Sequence, residues 1–539
     1  MSSDLGRAEA LAALVLVPLM IVVFRGAVAA MLPLLVGLLT VLATFLWLRA
    51  VNSLTDLSIF ALNLVIGLGL GLAIDYSLLM VSRYREEAGR RGHGPAAVGA
   101  TLATAGRTVV FSSLTVAAAM ASLLVFPQPF LYSMGLGGIL VVSSAAVIAL
   151  TLLPAVLTLL GPRLDALAVR RAPTSDDHEG GWYRLAAAVM RRPGTVAVAT
   201  GALLLLLGTP FLGVRFTSVD PSVLPESASA RQVFDALQRD FAADATTPAS
   251  VQISAPQSAA PAVATLADQV RTLPTAALVT PPRYLGADTW ALDAFSGAPF
   301  LAPQSKDLVE GIRGVHSALP LRVTGATAQF VDLQSSLRDH LPLGIGIVAV
   351  VTLLVLFALT GSAVLPMKAL VMNALSLSAA FRVLVFVFQD GRLTGLLDYT
   401  GQGALESTQP ILLFAIAFGL STDYGVFLLA RIKEHHDAGL PTTEAVALGL
   451  ERTGRVVTAA ALLFCVAIGA FASSSIVFIK ELGVGTAAAV VIDATIVRAL
   501  LVPSLMALLG DWNWWAPRPL RLLWRRLRLD RLESSAARA

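Results

Sequence analysis

Residues 60–87 read FALNLVIGLGLGLAIDYSLLMVSRYREE, and residues 411–436 read ILLFAIAFGLSTDYGVFLLARIKEHH. Each is apolar over the roughly 20 residues a helix needs to cross a bilayer. Each is interrupted by the same dipeptide, Asp75-Tyr76 in one and Asp423-Tyr424 in the other. An ionised carboxylate at that depth costs several kcal/mol unless it is paired, so such residues are rare and point to function. The offset 423 − 75 = 348 also carries Arg83 onto Arg431, Glu86 onto Glu434, Gly106-Arg107 onto Gly454-Arg455, and Gly135 onto Gly483. Pro154 and Pro503 match after one inserted residue. Self-similarity at so long a period predicts two structural blocks related by an axis along the membrane normal.

Composition agrees with a lipid environment. The 539 residues are 56% hydrophobic and 14% charged, against about 25% charged in soluble domains. Eleven spans are expected, at about 11–24, 27–49, 57–82, 108–126, 131–160, 195–213, 341–360, 364–388, 409–430, 455–473 and 482–509. Basic residues fall on alternate connections: Arg83, Arg85, Arg90, Arg91 and Arg107; Arg163, Arg170, Arg171, Arg184, Arg191 and Arg192; Arg431, Lys433, Arg452 and Arg455; and Arg518, Arg521, Arg525, Arg526, Arg528 and Arg531. These four groups are assigned to the cytoplasm, because Lys and Arg concentrate on that side. Loops 50–56 and 127–130 carry no Lys or Arg, and 389–408 carries only Arg392. The N-terminus and 214–340 then lie outside.

The expected fold is an α-helical polytopic membrane protein with one α+β extracytoplasmic domain. Residues 1–161 form a first five-helix block, 162–194 a cytoplasmic linker, and 195–213 a single span. Residues 214–340 form the outer domain, 341–510 a second five-helix block, and 511–539 a basic cytoplasmic tail. Within 214–340 a helix is expected at 227–242. After it come extended SVQISA, helical PAVATLADQVRTL, β-like AALVT and TWALDAF, helical SKDLVEGIRGVHSAL, and LRVTGA. That βαββαβ order is the ferredoxin-like pattern.

The phrases LGLGLAIDYSLLMVSRYREE, ATAGRTVVFSSLTVA, FAIAFGLSTDYGVFLLARIKE, RTGRVVTAAALL, SSSIVFIKELGVG, IDATIVRALLVP and DWNWWAPRPLR resemble the MMPL (mycobacterial membrane protein large) family of the resistance–nodulation–division superfamily. The resemblance runs from about Asp4 to the basic tail. It implies proton-driven export of a lipid or other hydrophobic molecule across a bacterial inner membrane, with Asp75, Tyr76, Asp423 and Tyr424 as the proton relay. Family members carry twelve spans and two porter-type domains. The first span and first porter domain are therefore expected to be missing here, with Asp4-Leu5 and Ala8-Glu9 resembling the end of the lost domain, as in a fragment or a truncated gene model. The sequence also departs from the family at Gly425, where many relatives have glutamate, and at Arg382, where glycine is expected. A truncated, non-transporting scaffold is the alternative reading.

Neighbouring helix residues point about 100° apart, so Asp75 and Tyr76 do not serve each other. Packing about a pseudo-twofold axis would let each phenol donate to the opposing carboxyl, and protonation would then bias a rocking of one block against the other. The bland alternative is that both pairs only hold helices together. Asp493 and Arg498 lie in the last span with apolar counterparts in the first block. They read equally as an accessory polar element or as a buried ion pair. Ser77, Ser421 and Thr422 could extend a hydrogen-bond path, but small residues are common at helix contacts. Packing is the better reading for them and for Gly67, Gly69 and Gly71.

Other chemistries find little support. Four lysines, Lys306, Lys368, Lys433 and Lys480, stand outside any phosphate-binding glycine loop, which argues against ATP hydrolysis. One cysteine, Cys465, excludes an intrachain disulfide. His435-His436 reads as a solvated loop feature rather than a metal site, and no nucleophile–base constellation suggests an enzyme. No cofactor is expected. The tail, RPLRLLWRRLRLDRL, suits a helix on an anionic inner leaflet better than one bound to nucleic acid. Accessory or homo-oligomeric partners stay open.

Overall fold

The computed structural model describes residues 14–166, 180–240 and 246–526. Residues 11–13 of the first expected span, Asp4-Leu5, Ala8-Glu9, Arg170, Arg171, Arg528 and Arg531 lie outside them. The chain divides into two compact units, residues 216–341 and the remainder.

Among the described residues of the whole chain, ten helices are long and apolar enough to cross a bilayer, with a shorter apolar helix, α1 (Leu14–Phe24). They are α2 (Ala27–Asn52), α3 (Phe60–Arg91), α4 (Pro95–Val125), α5 (Pro129–Asp165), α7 (Pro193–Gly213), α11 (Ala326–Thr360), α12 (Val364–Gln389), α13 (Gln409–Asp437), α14 (Thr442–Ser473) and α15 (Val477–Trp514). A short helix, α6 (Gly181–Met190), precedes α7. The chain is a multi-pass membrane protein.

Helices α4 and α14 begin 13 residues before the expected starts at 108 and 455. Hydropathy registers lipid contact, whereas polar opening turns such as TTEAVALGLERTGR continue the helix beyond the apolar core.

The 348-residue offset is visible in the packing. Helix α3 packs on α14, and its counterpart α13 packs on α4. The glycines of α3 let its neighbours approach closely. A Cβ at Gly67 would lie 2.9 Å from the Phe471 ring, one at Gly69 2.9 Å from Val141, and one at Gly71 2.4 Å from the Phe464 ring.

Helices α5 and α15 correspond but have 37 and 38 residues. Helix α5 is α-helical through Leu160, whereas α15 widens into a π-helix over Asp493–Leu501. A π-bulge is how a helix absorbs an extra residue without losing phase at its ends. The inserted residue before Pro503 therefore has a structural expression.

The second unit holds α8 (Ser229–Asp240), β1 (Ala249–Ser254), α9 (Ala260–Arg271), β2 (Leu278–Val279), β3 (Arg283–Gly286), β4 (Thr289–Phe295), α10 (Pro303–Arg313) and β5 (Leu321–Thr324). The strands lie in the order β2-β4-β1-β5, every pair antiparallel. Strand β3 forms a hairpin with β4 that sequence reading did not anticipate. Its turn passes through positive φ at Gly286, Ala287 and Asp288. Alternate residues of β1 and β4, among them Val251, Ile253 and Leu292, pack beneath α9 and α10 through Val263, Leu266, Leu308 and Ile312. Helix α10 stops at Arg313, short of the expected 319, because Gly314 follows.

Candidate proton-relay site

Asp75 and Tyr76 on α3, and Asp423 and Tyr424 on α13, are all buried within the membrane unit. The Tyr424 hydroxyl donates to Asp75 Oδ2 at 2.8 Å, which joins the two blocks. The reciprocal bond is not made. Asp423 Oδ1 instead accepts from Ser112 on α4, and Tyr76 Oη has no hydrogen bond of good geometry, although Asp423 and Ser112 are its electrostatic neighbours. The sequence explains the asymmetry: the counterpart of Ser112 at the same offset is Ala460, which has no hydroxyl to offer Asp75. Asp75 Oδ1 and Asp423 Oδ2 are buried without partners, two free acceptors at the centre of the unit.

A second polar group adjoins the first. Arg498 donates from Nε and Nη2 to Asp493 Oδ2 at 2.8 and 2.5 Å and from Nη2 to the Ser421 carbonyl at 2.9 Å. Residues five apart diverge on an α-helix; the wider π turn brings Asp493 and Arg498 together. The Arg498 guanidinium also lies 5.1 Å from the centre of the Tyr424 ring, so the ion pair reaches the relay. Ser421 Oγ bonds to Asp493 Oδ1 at 2.7 Å. Asn373 on α12 donates to Thr422 Oγ1 at 2.8 Å. Ser77 is buried and its hydroxyl has no partner in the structure, so it adds nothing to the network. Ser112 and Asn373 were not anticipated. The broken repeat at Ser112/Ala460 was the available signal.

Toward the basic ends of α3 and α13, four charged residues interlock. Arg83 pairs with Glu86 at 2.8 Å and Glu434 at 3.5 Å, and Arg431 pairs with Glu434 at 3.0 Å and Glu86 at 2.9 Å. The ring thus repeats the 348 offset in space. A cavity of about 440 Å³ runs from these residues to Asp75 and Tyr424.

Two other features differ from expectation. His435 and His436 lie in the last turn of α13 rather than in a loop, and His436 stacks on Trp514 at 4.2 Å. Arg382, in the last regular turn of α12, lies 5.7 Å from the Phe386 ring centre.

The MMPL family model matches residues 1–196 and 303–534. The chain belongs to the MMPL family. It is 43% identical over 96% of its length to a membrane protein of Streptomyces coelicolor, of which it spans 72%. It is 34% identical over 98% of its length to the trehalose monomycolate exporter MmpL3 of Mycolicibacterium smegmatis, spanning 56% of that protein. It is 32% identical over 96% of its length to the mycolic acid-containing lipids exporter MmpL11 of the same organism, again spanning 56%. The chain therefore spans little more than half of these mycobacterial relatives. Among solved structures, SecDF in its super-membrane-facing form matches 94% of the chain with a TM-score of 0.55 at 15% identity, covering 61% of SecDF. That likeness concerns the fold. The family is one of transporters.

Proposed function

We propose that this chain exports a lipid across the bacterial inner membrane, driven by protons that bind at Asp75 and Asp423. The observation that carries the reading is the Tyr424–Asp75 hydrogen bond, which ties one block to the other through a titratable group in an apolar seam. Protonating Asp75 removes the charge that holds Tyr424, so a proton changes the energy of one block relative to the other. The cavity bounded by the Arg83–Glu434 ring gives the carboxyl a route toward the basic, cytoplasmic face. Asp493 and Arg498 hold the Tyr424 side of the seam in place. The lipid class follows from the MmpL3 and MmpL11 relatives.

The strand order of residues 216–341 supports reading them as a ferredoxin-like porter domain through which substrate passes. Helix α16 (Arg518–Arg526) carries Arg518, Arg521, Arg525 and Arg526 beside Leu and Trp, which fits an anionic inner leaflet.

The test is transport of a fluorescent long-chain trehalose ester in proteoliposomes under an imposed proton gradient. Asp75→Asn and Asp423→Asn each abolish the gradient-dependent component while the protein stays folded and inserted. If both variants move the ester at the parental rate, the relay is misassigned.

A further inference from the structure

Far from the relay, at the opposite end of α13 from its basic turn, a second pair of acids is buried. Glu406 precedes α13 and is 5% exposed; Glu481, in the first turns of α15, is 1% exposed. Glu406 accepts from the Thr408 hydroxyl and amide at 2.5 and 2.9 Å, so its carboxylate caps the helix that carries Asp423. The Glu481 carboxyl lies beside Glu406, within reach of its backbone amide as well as its charge, yet neither of its oxygens makes a hydrogen bond of good geometry.

The cation closest in sequence does not neutralise them. Lys480 is buried and turns away, donating to the carbonyls of Leu397 and Asp398, with Asp398 as its electrostatic partner. Tyr399 also faces Glu481, but a phenol carries no positive charge. Neither Glu406 nor Glu481 has an ion-pair partner among the described residues. Two buried carboxylates without a cation cannot both stay ionised, because their repulsion adds to the desolvation of each. Further unpaired polar atoms lie nearby in sequence, Gln409 Oε1 on α13 and Thr486 Oγ1 on α15. Asp423 lies 14 residues beyond Gln409, about 21 Å along the helix at 1.5 Å per residue.

We infer that Glu406 and Glu481 form a proton-binding site at the extracytoplasmic end of the second block, which takes up the proton later passed toward Asp423. The proton neutralises one carboxylate of the pair and leaves a single negative charge between the two residues. The same event alters the cap of α13, so occupancy is felt by the helix that holds the relay. Burial of Glu406 places its affinity in a useful range, its carboxyl being raised to about 7. The role in coupling rests on the proton-driven reading; the existence of the site does not.

The experiment is an infrared titration of the carboxylic-acid band of the purified full chain, in the parent and in an Asp75→Asn/Asp423→Asn background. The site predicts that Glu481→Gln removes one protonated carboxyl at neutral pH in both backgrounds. Glu406→Gln, the second variant, removes the component that titrates near neutrality, and it decides the matter alone if Glu481→Gln does not fold. A band unchanged in these variants overturns the site, whatever the relay variants do in transport. In proteoliposomes the outer-pH profile of ester transport shifts with the band. A profile that stays fixed while the band moves overturns the coupling role.

Discussion

The closeness of α3 to α14 can be tested at one atom. Gly71→Ala adds a Cβ whose position is 2.4 Å from two carbons of the Phe464 ring, where carbon contacts normally sit near 3.5–4.0 Å. The ring is fully buried, so more than an ångström of movement must be found in packed surroundings. Overpacking of that kind costs about 1–3 kcal/mol, against a gain of about 1 kcal/mol for replacing a helical glycine with alanine. A net loss of up to about 2 kcal/mol follows. The repeat provides the control. Gly419 is the counterpart of Gly71, and Val116 the counterpart of Phe464. A Cβ at Gly419 would meet Val116 and Ala119 at 3.3 Å, which a few tenths of an ångström relieve. Gly419→Ala should therefore stay within about 0.5 kcal/mol of the parent. Thermal and denaturant unfolding in detergent would measure both, and Gly71→Ala should cost less in a Phe464→Leu background. Equal melting of the two alanine variants, or no relief from Phe464→Leu, would refute the reasoning.

Three further outcomes are expected. Tyr424→Phe removes the donor to Asp75, a bond of about 1.5–3 kcal/mol when the partner is charged, and should slow ester transport tenfold or more; Tyr76→Phe, whose hydroxyl donates to nothing, should stay within about twofold. Asp493→Asn leaves Arg498 buried without its counter-ion and should cost about 3–5 kcal/mol in unfolding measurements, with a smaller loss when Arg498→Met is added. The Glu406 carboxyl is raised from 4.5 to about 7 by burial, only partly opposed by the hydrogen bonds from Thr408, Gln409 and Ser407. Between those pH values the folded protein keeps a proton the unfolded chain has lost, so stability falls as pH rises through the window and levels off above about 7; Glu406→Gln should flatten that slope in melting curves.

Much of the membrane unit was legible because the repeat is written in residues that also build the contacts. Arg83, Glu86, Arg431 and Glu434 align in sequence and then interlock in space. What the repeat could not reveal was where symmetry fails. Reciprocal phenol–carboxyl bonds follow from symmetry alone, and one hydroxyl at Ser112 opposite Ala460 is enough to divert Asp423. Glu406 and Glu481 escaped notice for another reason. Each stands at the edge of an apolar run, where a carboxylate reads as solvated, and only the packing of the 390–408 connection against α15 shows both to be buried. The β3–β4 hairpin was missed because Ala287 and Asp288 adopt positive φ without the usual Asn-Gly signal.

The widened turn at Asp493–Leu501 has a consequence for the order of events. The two halves differ in length by one residue before Pro503, and only the longer one holds a guanidinium against a tyrosine of the candidate relay. Asp75 and Asp423 therefore sit in unlike surroundings, one bonded to a phenol beside a cation and the other to a serine. Under the proposed function, two identical stations would have no preferred sequence of filling, whereas two unlike ones would be filled in order.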